Sequence, residues 1–82
     1  MKPNVVRDKS FEFALGVIEL YKHLKGVNEY VISRQILRSA TSIGANIEEA
    51  GAAMSKRDFI AKMAISSKEA RETNYWLRLI IQ

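Results

Sequence analysis

The sequence predicts an all-α protein, an antiparallel up-down helical bundle, on three observations. Apolar residues recur at helical spacing in three separate stretches. Each boundary carries the chemistry of a helix end, at Gly26, Asn28 and Ser55. The middle stretch holds a heptad line, Ile36, Ala40, Ile43, Ile47, Ala50 and Met54, with small and polar residues crowding both of its flanks.

The first helix is expected over about residues 10–25, with Asp8 or Ser10 accepting the unpaired N–H groups of its first turn. Lys22, His23 and Lys25 favour the negative end of the helix dipole, and Gly26 is expected to supply a left-handed cap. Its apolar positions, Phe11, Phe13, Ala14, Leu15, Val17, Ile18, Leu20, Tyr21 and Leu24, sweep roughly 220° of the surface at 100° per residue. One partner helix cannot cover that arc.

The second helix, about residues 29–53, takes Asn28 as its expected N-cap and Ile32 as the first residue of its heptad line. Gly44 and Gly51 lie on one flank, an unfavourable choice inside a helix unless another backbone comes close. Ser39, Ser42, Asn46 and Ala53 occupy the other flank. A central helix contacted from two sides explains both.

The third helix is expected over about residues 56–82, with Ser55 and Asp58 resembling a capping box. Its core line reads Phe59, Met63, Ala70, Leu77 and Ile81. Toward the end Trp76, Leu77, Leu79, Ile80 and Ile81 point all round the helix, so that end should be buried on every side. The wide arc of the first helix and this end of the third are expected to be covered by neighbouring copies or by a further helix.

At 82 residues the chain makes one small domain, 1–82, whose core is modest for its surface. It has no cysteine, which removes disulfides and thiolate metal sites from consideration. No apolar leader or membrane-length stretch is present, and the expectation is a soluble, cytoplasmic protein. Thirteen Lys and Arg against nine Asp and Glu give a net charge of +4, compatible with nucleic acid or an acidic partner.

The run Arg38, Ser39, Ala40, Thr41, Ser42, Ile43, Gly44, Ala45, Asn46, Ile47, Glu48, Glu49, then Ser55, Lys56, Arg57, Asp58, Phe59, then Lys68, Glu69, Ala70, Arg71, Glu72, Thr73 with Trp76 and Leu77, resembles the four-helix-bundle proteins encoded in 23S rRNA intervening sequences. The resemblance runs from about Phe11 to Gln82. It implies an antiparallel four-helix bundle, a ring-shaped homopentamer, and, from the related accessory variability proteins of diversity-generating retroelements, a basic surface that engages nucleic acid and a reverse transcriptase. It also places the family's signature on Ser42, Asn46, Glu49, Glu69 and Glu72. Family members continue into a fourth helix, whereas this sequence stops within the third.

Three groups of residues are candidates for a site. Ser42, Asn46 and Glu49 on the second helix, with Glu69 and Glu72 on the third, lie beside the core lines. There they must be hydrogen bonded or paired, either as a helix-fixing polar network with Arg38 or Arg71 or as the lining of a site. Lys68, Arg71, Tyr75 and Arg78 share an outer face of the third helix, where cations can hold phosphates and Tyr75 can stack a base. The plain alternative is a solvated helix face, with Glu72 bordering it and pairing with Lys68. Arg34, Arg38, Lys56 and Arg57 form a second basic group near the ends of the second helix.

Catalysis is not expected, nor is a metal or cofactor. The single histidine, His23, follows Glu19 by four residues and suits a helix-end ion pair. Glu48 and Glu49 are adjacent and diverge by about 100° on a helix, so they cannot act together on one substrate. Gly44 and Gly51 are helical rather than in a phosphate-cradling loop. The expected function is that of a homo-oligomeric accessory protein binding RNA or DNA through Lys68, Arg71, Tyr75 and Arg78, with Arg34 and Arg38 in support. The alternative is an oligomeric scaffold that recruits a protein partner.

Overall fold

The structure, a computed structural model, describes residues 4–81, which form three helices: α1 (Val5–Gly26), α2 (Val31–Gly51) and α3 (Lys56–Ile81). Among the described residues there is no strand.

Helix α1 begins five residues earlier than the sequence suggests. Asn4 is the cap, its Oδ1 accepting the Arg7 N–H at 2.9 Å. Asp8 instead sits in the first turn, where its charge suits the dipole. Ser10 lies in the second turn, is 8% exposed, and donates its hydroxyl to the Arg7 carbonyl. At the other end Gly26 is not left-handed; Asn28 is, with φ 66°. The α1–α2 turn closes through the Glu29 N–H to the Leu24 carbonyl at 2.8 Å. His23 does not pair with Glu19, which meets Lys22 at 3.6 Å.

With Asn28 used in the turn, the cap of α2 comes from Glu29. Its two carboxylate oxygens accept the backbone N–H groups of Ile32 at 2.9 Å and Ser33 at 2.6 Å. The Ile32 N–H foremost holds the Glu29 carboxyl below its ordinary pKa. Helix α3 starts as expected, with the Asp58 N–H donating to Ser55 Oγ at 3.1 Å.

The packing is antiparallel. Arg7 lies 3.9 Å from Glu48, Ser10 lies beside Gly44, and Val17 packs with Ile36, so α1 and α2 run in opposite directions. Arg38 meets Glu72, Ser39 meets Thr73, and Glu49 meets Lys62, which sets α3 antiparallel to α2. Helix α2 stands in the middle, and no Cα of α1 comes within 8 Å of one in α3. The core is Val17, Ile36 and Ala40, with Ile32, Leu37, Trp76, Leu77 and Ile80 packed against it.

The close approach expected at the helical glycines holds at one of them. A Cβ on Gly44 would sit 3.5 Å from Ser10 Oγ, while one on Gly51 would meet nothing within 4 Å. Gly44 is the contact point between α1 and α2, and Gly51 is simply the last residue of its helix.

The core line of α3 differs from expectation. Its buried residues are Ser66, Glu69 and Thr73, whereas Phe59 is 46% and Ile81 76% exposed and Ala70 is exposed too. The reason is hydrogen bonding. Ser66 donates to the Ile43 carbonyl at 3.0 Å, and Thr73 donates to Ser39 Oγ at 2.7 Å, its proton shared with the Glu69 carbonyl. Ser39 in turn donates to the Gln35 carbonyl. Small hydroxyl side chains with every polar atom satisfied let the two helices approach, so they displace the apolar line to one side of the contact.

That displaced line borders a hollow of about 150 Å³ lined by Asn4, Val6, Ile47, Gly51, Phe59 and Met63, to which all three helices contribute. On α1, Phe11, Phe13 and Leu15 are exposed, and at the far end of α3 so are Leu79 and Ile81, the surfaces expected to be covered by neighbouring copies or a further helix. No described helix is long and apolar enough to cross a membrane.

Candidate nucleic-acid interface

The five polar signature residues form three separate contacts rather than one network. Asn46 Nδ2 donates to the Ser42 carbonyl at 2.9 Å and to Ser42 Oγ at 3.1 Å, all within α2. Glu49 bridges from α2 to Lys62 on α3 at 2.8 Å and, by accepting its hydrogen bond, holds the lysine above its ordinary pKa. Glu69 and Glu72 share Arg38, whose Nη1 lies 3.3 Å from Glu69 Oε2 and whose Nη2 pairs with Glu72. Glu72 also accepts the Trp76 indole N–H at 2.9 Å.

This third contact decides how the charges divide. Glu69 is 8% exposed, and a carboxylate so placed needs its cation. Arg38 supplies it from the neighbouring helix, which removes Arg38 from the group of cations available to a ligand. Glu72 is likewise matched by Arg38 rather than by Lys68, so the surface ion pair expected along α3 does not form.

What remains on the outer face of α3 is basic. Lys68, Arg71, Tyr75 and Arg78 are all exposed, and among the described residues none of these three cations has a carboxylate within ion-pair distance. Arg71 donates to Ser67 Oγ at 3.1 Å, a neutral partner that leaves its charge uncompensated. The Arg78 guanidinium lies 6.0 Å from the centre of the Tyr75 ring. At 100° per residue, exposed Arg57 falls within about 20° of Lys68 and extends the same row toward the start of the helix. In the sequence Arg57 groups with the cations near the ends of α2, because proximity along the chain masks a shared helix face. Arg34 is exposed on α2, apart from this row.

The arrangement suits electrostatic holding of phosphates, with one aromatic ring among the cations. Among the described residues no three His, Asp or Glu side chains gather as a metal site requires.

The comparisons with known proteins agree with the geometry at the level of fold and family. A solved structure from Bacteroides thetaiotaomicron, described as a protein of unknown function from the S23 ribosomal protein family, matches with a TM-score of 0.90 at 58% identity. The match covers 93% of this chain and 71% of that one. No curated protein matches at a significant level. The family model for 23S rRNA-intervening sequence proteins matches residues 2–82. With nearly the whole sequence matched and the same helical arrangement in a relative this similar, the chain belongs to the 23S rRNA-intervening sequence protein family.

Proposed function

We propose that this protein is a non-enzymatic accessory factor that binds RNA or DNA through the outer face of α3, working as a cytoplasmic homo-oligomer, with the pentamer suggested by the family resemblance. One observation carries the reading. Arg38 holds Glu69 and Glu72 together across the α2–α3 contact, one cation between two carboxylates, while Lys68, Arg71 and Arg78 face solvent with no carboxylate at ion-pair distance among the described residues. Three phosphate contacts give an affinity that falls with salt, with a slope of log K against log salt of about −2 to −3.

The test is fluorescence anisotropy with labelled RNA and DNA across a salt series. The triple variant Lys68→Glu, Arg71→Glu, Arg78→Glu is expected to lose binding and the salt slope together. Binding unchanged in that variant, or none by the parent protein at low salt, sinks the reading. A protein-recruiting scaffold is favoured instead by the exposed apolar side chains Phe11, Phe13, Leu15 and Phe59. A stoichiometric protein partner that copurifies without nucleic acid would support that second reading.

A further inference from the structure

We infer that the ligand of this face is single-stranded nucleic acid, with one unpaired base laid against the Tyr75 ring and the neighbouring phosphates held by Lys68, Arg71 and Arg78. This rests on the nucleic-acid reading above. What points to a single strand is a chain of contacts that braces the tyrosine from behind. Arg38 on α2 pairs with Glu72, and Glu72 accepts the Trp76 indole N–H at 2.9 Å. Trp76 then meets Tyr75 edge to face, with ring centres 5.2 Å apart at 65°.

A surface tyrosine ordinarily has side-chain freedom to lose when it binds. Here a half-buried tryptophan, tied to the α2–α3 contact, restricts the ring beforehand. Yet Tyr75 stays 49% exposed, with the Arg78 guanidinium beside it. A fixed aromatic ring and a cation presented together form a platform for a base that has left its stack. Lys68 to Arg78 spans about 15 Å of helix, room for a few nucleotides.

A duplex cannot use this platform. Its base faces are covered by their neighbours, so Tyr75 would meet base edges, sugar and phosphate but no open face. The A-form major groove is too narrow to admit side chains at all, and in the wider B-form groove a helix reads base edges, not faces. Glu72 and Trp76 are positioning residues here: the carboxylate holds the indole and is itself held by Arg38.

The experiment measures anisotropy at low salt with labelled oligouridine, oligothymidine and a duplex of the same length. It compares the parent protein with Tyr75→Phe, Tyr75→Ala and Glu72→Gln, each checked for helicity by circular dichroism. Single strands are expected to bind more tightly than duplex, and Tyr75→Ala to weaken them by about 5-fold to 150-fold while leaving duplex binding unchanged. Tyr75→Phe, which keeps the ring, is expected to stay within about 2-fold. Trp76 is the sole tryptophan, so its emission should change on binding single strands, and that change should persist in Glu72→Gln, whose amide oxygen can still accept the indole N–H. The tighter of the two single-stranded probes identifies RNA or DNA as the source. Duplex binding equal to single-strand binding, or full single-strand affinity in Tyr75→Ala, overturns this inference and leaves the nucleic-acid reading standing. Failure of every probe to bind overturns both.

Discussion

The two contacts made by α2 are built differently. Against α1 it uses shape: Gly44 leaves room for Ser10, Val17 packs on Ile36, and the one ion pair, Arg7 to Glu48 at 3.9 Å, lies in solvent. Against α3 it uses directional bonds: Ser66 to the Ile43 carbonyl, Thr73 to Ser39, Arg38 to Glu69 and Glu72, Lys62 to Glu49. A contact made by shape tolerates small sliding, because dispersion and burial are non-directional. A ladder of hydrogen bonds admits one register. The helix that carries the candidate interface is thus the one whose position is fixed most tightly.

Three substitutions would break or sharpen this contrast. Ile36→Ala acts where both contacts meet, at a residue 1% exposed, and is expected to cost about 2–5 kcal/mol in a denaturant midpoint experiment. A loss under about 1 kcal/mol would mean that the core is not shared. Thr73→Val keeps the volume and removes the hydroxyl between the helices. We expect a loss of about 1–2 kcal/mol, and a neutral result would show that the α2–α3 contact is held by shape after all. Gly44→Ala places a methyl at ordinary contact distance from Ser10 and improves helix propensity, so the expected change is a gain of about 0.5–1 kcal/mol. A loss there would reveal an α1–α2 contact tighter than its distances suggest.

Much of this was legible in the sequence. Three helices, the Ser55 cap and the central place of α2 followed from periodicity, turn chemistry and the small residues on its flanks. The basic row on α3 was equally readable, since residues three, four and seven apart share a face whatever they pack against. What escaped was set by partners far along the chain. Thr73 and Ser39 are 34 residues apart, as are Arg38 and Glu72, and no local pattern announces such pairings. For the same reason a scale of hydrophobicity chose Phe59, Ala70 and Ile81 for the core of α3, where hydroxyls actually lie. The early start of α1 escaped because Asn4 lies ahead of the first long apolar run, and the turn after Gly26 because Asn tolerates the left-handed region nearly as glycine does.

The close backbone approaches between the described helices join α1 to α2 and α2 to α3, helices adjacent in sequence, while side chains of all three share the core around Ile36. Collapse can begin at either end, by closing the turn at Asn28 or the one at Ser55, and proceed through two parallel routes with little loop entropy to overcome.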